Sequence, residues 1–156
     1  MRLADLQYRL LDRIRHRDAF AAARTAGTAT DLSGLAGHHT CLLVTHKRSG
    51  EPVPSPVLFG LSEGKLYLRT EARSAKIKRI ANDPRVLVGP CNFRGKPLGD
   101  LVRGVARVLP ATEHAEAYAV LRANYRTSDR MFESALDRLP IDLAYVELTP
   151  ESAPGS

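Results

Sequence analysis

Between Thr40 and Leu109 the apolar residues fall into short runs separated by glycine- and proline-bearing turns, and one stretch alone in that interval reads as a helix. Runs of this length suit strands better than helices. Cys41-Leu-Leu-Val-Thr-His46 is apolar enough to be buried on both faces, and Lys47 to Pro52 is turn chemistry, with Gly50 available for positive φ. Val53 to Leu61 returns as a second strand. Its Pro54 and Pro56 cannot donate to a ladder, so that end belongs at a sheet edge or a bulge. Ser62-Glu-Gly64 is a tight turn into Leu66–Thr70, and further strands follow at Val86–Gly89, Leu101–Leu109 and Leu143–Leu148. Hairpin-linked strands with one short helix between two of them predict a small antiparallel barrel, mainly β with flanking helices.

Helical spacing is confined to the flanks and to that one insertion. Leu3, Leu6, Leu10 and Ile14 form a stripe within residues 3–24, surrounded by arginines. A polar link, Thr25 to Asp31, and a short helical piece, Leu32 to Ala36, lead to Gly37. The inserted helix opens at Ser74, turns Ile77, Ile80 and Ala81 inward and stops at Asn82-Asp-Pro84, because proline disfavours helix in the residue before it. Two late helices are predicted with Thr112 and Ser128 as N-caps. Their apolar stripes are Tyr118, Leu121 and Tyr125, then Met131, Phe132, Ala135 and Leu136. The organisation expected is a helical extension over 1–36, a barrel domain over 37–149 and a disordered tail over 150–156.

At 156 residues the chain suits one domain. No apolar run approaches the ~20 residues of a membrane span, and the N-terminus lacks the apolar core of a secretory signal. Cys41 and Cys91 have no paired spacing, which favours reduced thiols and a cytoplasmic setting. The net charge of +6 suits an anionic partner. The cations are scattered among seventeen acids with no basic block, which argues against nucleic acid. The basic first helix could rest on anionic lipid, but packing over the barrel or across a dimer is the stronger reading.

The chemistry-bearing residues narrow the field. None of the five histidines forms a His-x-x-x-His or Glu-x-x-His pair on a plausible helix, so no metal is expected. No serine or cysteine stands in a nucleophile elbow, and no dinucleotide or Walker glycine pattern occurs. What remains is the helix start at Ser74, with Lys76, Lys78 and Arg79 in its first turns. Free amides, the positive end of the helix dipole and nearby cations make an anion site there, suited to a phosphate-bearing ligand.

The order of these pieces carries a resemblance. A strand ending in Arg69-Thr70, a short gap, Ser74-Ala-Lys76 and an isoleucine helix stopped by Asn82-Asp-Pro-Arg-Val86 resembles the pyridoxamine-phosphate-oxidase-like split-barrel oxidoreductases. Leu42–Thr45, Gly50–Val57, Gly64–Thr70 and the loop Pro90–Gly99 are similar to the branch that uses the deazaflavin coenzyme F420. The resemblance spans roughly residues 38–148 and implies a homodimeric split β-barrel of the type that binds flavin mononucleotide (FMN). It implies hydride transfer between cofactor and a small organic substrate, with no catalytic side chain of its own. In that reading Lys76 holds the cofactor phosphate, Thr70 and Ser74 stand around it, Arg69 precedes them, and Arg79 reaches the cofactor. Ser55, Pro56, Val57 and Leu58 line the ring through backbone groups. Flavin-dependent members place an arginine directly before the lysine; here that residue is Ala75, which favours F420 and leaves Lys78 and Arg79 as substitutes. FMN is the alternative cofactor, and a non-catalytic module holding a cofactor or haem is the alternative function.

Overall fold

The structure is a computed structural model that describes residues 17–151, with only the backbone of Leu136. The expected stripe from Leu3 to Ile14 lies outside these residues, as do 152–156 of the expected tail. The chain forms α1 (Arg17–Ala23), a 3-10 turn (Ser33–Leu35), β1 (Thr40–His46), β2 (Pro52–Leu58), β3 (Gly60–Ser62), β4 (Lys65–Glu71), α2 (Ala75–Asn82), β5 (Arg85–Pro90), β6 (Val102–Val108), a second 3-10 turn (Ala111–Glu113), α3 (His114–Asn124), α4 (Thr127–Asp137) and β7 (Leu143–Pro150).

The strands form one seven-stranded sheet in the order β2-β1-β5-β6-β7-β4-β3, and every named strand pair is antiparallel. The sheet curls until β2, at one edge, meets β4, next to the other. This is the half-open barrel of a split-barrel fold. The proline strand is the edge strand, as its missing donors require. One expectation changes: the predicted strand Val53–Leu61 is two, broken at Phe59, whose ring is fully buried and whose carbonyl accepts from Asn124 Nδ2 at 2.9 Å.

Alternation along β1 sets the layers. Cys41 and Leu43 face the barrel interior with Phe59, Leu66, Leu68, Ile80, Val88, Val146 and Leu148. Leu42 and Val44 face the other way, against Ala19 and Ala23 of α1. Cys41 to Thr45 are therefore all buried, and β1 is covered on both faces. A third cluster lies outside the barrel, where Ala117, Leu121 and Tyr125 pack on Leu109 and Tyr145.

The helix caps differ from the expectation at two places. Thr112 sits inside the 3-10 turn that begins directly after Pro110, and α3 starts from Glu113. Ser128 lies within the first turn of α4. There the Asp129 carboxylate reaches back to the amide of Arg126 at 2.9 Å, the carboxylate half of a capping box. Of the expected stripe of α4, Met131, Phe132 and Ala135 are exposed, and among the described side chains of the helix the buried ones are Asp129 and Glu133. Ala81 of α2 is exposed as well, whereas Ile77 and Ile80 turn inward as expected. The last strand extends through Pro150, and the amide of Glu151 still donates to Arg103 at 2.8 Å, so order persists past residue 150.

Helix α3 lies close on β3. A methyl group at Gly60 would stand 2.5 Å from the carbonyl oxygen of Val120, a backbone atom that cannot swing away. Gly60→Ala is expected to cost ~1–3 kcal/mol through overpacking, read as a lower denaturant midpoint at unchanged m-value.

Candidate functional site

Strand alternation decides which expected site residues can meet. Along β4, Leu66, Leu68 and Thr70 face the barrel interior, and Tyr67 and Arg69 face out. Thr70 is buried, and its hydroxyl donates to Ser74 Oγ at 3.5 Å at the corner where β4 turns into α2. Ser74 has the extended backbone of an N-cap (φ −65°, ψ 156°), yet its hydroxyl makes no capping bond to the first-turn amides. The first helical bond runs from the amide of Lys78 to the Ser74 carbonyl. Lys76 is half-buried on the first turn, and Lys78 is exposed to solvent.

Arg79 stands one turn further on and joins the helix to the sheet. Its Nε donates to Thr45 Oγ1 on β1 at 2.6 Å. Burial lowers the guanidinium pKa from its usual value, the direction expected when a cation loses water without a carboxylate beside it. Thr45 is itself almost fully buried. It shares the interior face with Ser55 of β2, since Thr45 pairs with Val53 and Leu43 with Ser55. The Ser55 hydroxyl is buried and makes no side-chain hydrogen bond among the described residues. A buried polar group without a partner is costly, and such an orphan marks a place where a ligand group would be accepted.

The remaining β2 residues are spread around the strand. Val57 packs into the barrel interior, Pro56 is half-buried on the opposite face, and Leu58 joins the outer cluster beside α3. Only their backbone can be shared by one ligand.

Arg69 is drawn away from this corner. Its side chain is 5% exposed and binds Glu133 of α4, with Nε to Oε2 at 2.8 Å, while Nη1 lies 3.1 Å from Asp137 Oδ1. The guanidinium carbon stands 4.9 Å from the Tyr118 ring centre, and Nη1 donates to Tyr145 at 3.5 Å. Burial works against the charge, but the Tyr145 hydroxyl and the Glu133 carboxylate outweigh it and hold the pKa above the usual value. Arg69 thus fastens α4 to the barrel from the outside. The sequence places it beside Thr70; the pleat places it on the other face.

Two residues that matter here carried little signal. Thr45 reads as the tail of an apolar run, and only the arrival of Arg79 makes it an acceptor. Asn124 ends α3 and binds the carbonyls of His38 and Phe59 at 3.0 and 2.9 Å, while His39 Nδ1 donates to the Asn124 carbonyl at 2.7 Å. Among the described residues no three His, Cys, Asp or Glu side chains converge, and no helix is long and apolar enough to cross a membrane.

The cysteines are buried and unpaired, on opposite faces of the sheet. Burial pushes the Cys91 thiol from 9.0 up to about 12, and raises Cys41 well above its usual value. Both are packing residues.

Residues 31–153 match the family model for pyridoxamine 5'-phosphate oxidase. No curated protein matches the chain. Among solved structures, a protein of unknown function from Agrobacterium tumefaciens is similar at 22% identity and TM-score 0.61, covering 86% of this chain; this chain spans only 54% of that one. An F420 reductase is similar at 18% identity and TM-score 0.54, over 80% of this chain and 96% of its own. The haem storage protein from Vibrio cholerae is similar at 16% identity and TM-score 0.55, over 75% and 84%. At these identities the likeness is one of fold.

Three outcomes are expected from the geometry. Thr45→Val removes the acceptor of a half-buried guanidinium and is expected to cost ~1–2 kcal/mol, read by denaturant unfolding. The Cys91 thiol keeps its proton longer in the folded than in the unfolded chain. Its contribution to stability is therefore full below pH 9 and falls as the pH rises from 9.0 toward about 12. Alkylation at about pH 8 should label neither cysteine until denaturant is added.

Proposed function

The chain belongs to the pyridoxamine 5'-phosphate oxidase family, and from that premise we propose that it is a deazaflavin (F420)-dependent oxidoreductase acting on a small organic molecule. The observation that carries the proposal is the β4–α2 corner facing β2: two hydroxyls, the lysine and arginine of one helix flank, and the orphaned Ser55 hydroxyl.

That donor set fits the group. Coenzyme F420 has a phosphodiester and a carboxylate tail, and both are anions. In this proposal Thr70, Ser74 and Lys76 hold the phosphodiester at the N-terminus of α2, where the helix dipole also favours negative charge. Arg79 braces that corner through Thr45 and adds a second positive charge close by. Ser55 supplies one polar contact inside the barrel mouth, and the backbone from Ser55 to Leu58 flanks the ring. Lys78, in solvent, adds charge for the tail rather than a direct contact. Arg69 is assigned a positioning role only, because its hydrogen bonds are committed to Glu133 and Tyr145.

When bound, the deazaflavin supplies the carbon that gives or takes hydride. The chain's part is to bind, to orient and to keep water from the ring. Nothing at this corner calls for a titrating catalytic side chain.

A homodimer belongs to the same proposal. Phe93, Met131 and Phe132 stand exposed on the single protomer, at 68%, 71% and 48%, and a second copy would cover apolar surface of this kind. A cytoplasmic setting is proposed with it, consistent with two buried free thiols. The helical extension over 1–36 is proposed as a packing element rather than a lipid contact, since Ala19 and Ala23 of α1 are buried against β1 and β5 residues.

FMN remains the alternative cofactor, disfavoured by Ala75 in place of an arginine before Lys76. A non-catalytic haem binder is the alternative of another class, suggested by the likeness to a haem storage protein. Three of the histidines described, His39, His46 and His114, already hydrogen-bond backbone carbonyls through one ring nitrogen.

Fluorescence titration with F420 tests the proposal. Lys76→Ala is expected to weaken F420 binding by ~1.5–3 kcal/mol, the range for a charge-assisted hydrogen bond. An unchanged dissociation constant would move the phosphate elsewhere, and tighter binding of FMN or haem than of F420 by the native chain would replace the proposal with the corresponding alternative.

A further inference from the structure

The direction of every hydrogen bond along β2 follows from two observations. The Thr40 carbonyl of β1 accepts from the amide of Cys91, on the β5 side, and Lys47, just beyond β1, donates to Glu51 on the β2 side. In an antiparallel ladder a residue's N–H and C=O point to the same neighbour, and successive residues alternate. Even-numbered β1 residues therefore bond toward β5, and odd-numbered ones toward β2. The register pairs Cys41 with Val57, Leu43 with Ser55 and Thr45 with Val53. Val53, Ser55 and Val57 are thus the β2 residues tied into the sheet.

Pro52, Pro54 and Pro56 take the alternate places, and their backbone groups point away from β1, out of the open edge. A proline has no N–H. From 52 to 57 this edge consequently presents carbonyl oxygens and no donor at all, and the first outward N–H is that of Leu58. β2 has no sheet partner on that side, and among the described residues no turn or loop amide bonds the carbonyls of Pro54 or Pro56. An ordinary edge strand would alternate donors with acceptors.

We propose that Pro54 and Pro56 are specificity-determining residues that favour a deazaflavin over a flavin by leaving the 52–57 stretch of the β2 edge with acceptors and no donor. The inference rests on the cofactor reading above. At the redox-active position an oxidised flavin, the form titrated as FMN, carries a ring nitrogen with a lone pair, and an oxidised deazaflavin carries a C–H. Against the outward carbonyls of Pro54 and Pro56 the nitrogen meets partial negative charge and, short of the Leu58 amide, finds no N–H, so the acceptor is left unpaired. The C–H instead meets oxygen acceptors, a weak but favourable contact. Discrimination of this kind works mainly by penalising the wrong ligand. It also explains why three prolines at alternate positions are compatible with a strand: every nitrogen that lacks its hydrogen is one the ladder does not use.

The test is a comparison of F420 and FMN dissociation constants, by fluorescence titration, for the native chain, Pro54→Ala, Pro56→Ala and the remote control Pro110→Ala. Each edge variant restores one outward N–H and leaves the ladder bonds in place. The FMN-to-F420 affinity ratio is expected to rise about three- to tenfold, the worth of one neutral hydrogen bond, in at least one edge variant and not in Pro110→Ala. Unchanged ratios, with both cofactors still binding, overturn the proposal and leave the F420 reading standing. A native chain that binds neither cofactor overturns the F420 reading, and the proposal with it. Thermal melts accompany the titrations. Loss of folding in both edge variants also overturns the proposal, since a nitrogen pointing out of the ladder can carry a hydrogen without breaking the sheet.

Discussion

The fold depends on β1 being buried on both faces. Five consecutive buried residues, Cys41 to Thr45, give one set of side chains to the barrel interior and the other to the layer under α1. A slip of one residue would exchange these sets and place Thr45 against α1 and Val44 inside the barrel. The same strand sets the hydrogen-bond directions of β2 on one side and β5 on the other. Burial, register and the chemistry of the open edge are thus consequences of one strand's parity.

Charged groups are handled differently on the two sides of the wall. Outside, Arg69 is matched by two carboxylates and set over a tyrosine ring, so a buried cation has its partners and α4 has an anchor. At the β4–α2 corner, Arg79 has a hydroxyl acceptor and its pKa is lowered by burial. A compensated buried ion pair is structural; a cation held by a neutral acceptor keeps electrostatic capacity for an anion. This contrast separates two arginines that look alike in the sequence.

Much of the architecture was legible because local rules were obeyed. The run at Cys41–His46, the turn at Gly50 (φ +90°) and the helix stop at Asn82-Asp-Pro84 each appear where side-chain pattern and backbone restriction put them. The prolines of β2 identified an edge strand for the same reason. The errors came where local rules compete. Thr112 and Ser128 are good caps by residue type, but Pro110 starts its turn one residue after itself, and the Asp129 carboxylate reaches the Arg126 amide. Met131, Phe132 and Ala135 of the expected stripe have helical spacing, yet Arg69 draws Glu133 and Asp137 to the barrel and these three stay outside.

From its amino acids alone the chain specified short strands, their turns, the basic helix and its order among them, because these follow from periodicity, φ restriction and missing donors. Adjacent residues such as Arg69 and Thr70 look like one site in sequence. The pleat separates them to opposite faces, and only pairing decides which faces the interior. Thr45, Ser55 and Arg79 are far apart in the chain and meet because an antiparallel register and a helix packed across the barrel bring them together. Long-range pairing of this kind is a property of the folded sheet and is not written in any one segment.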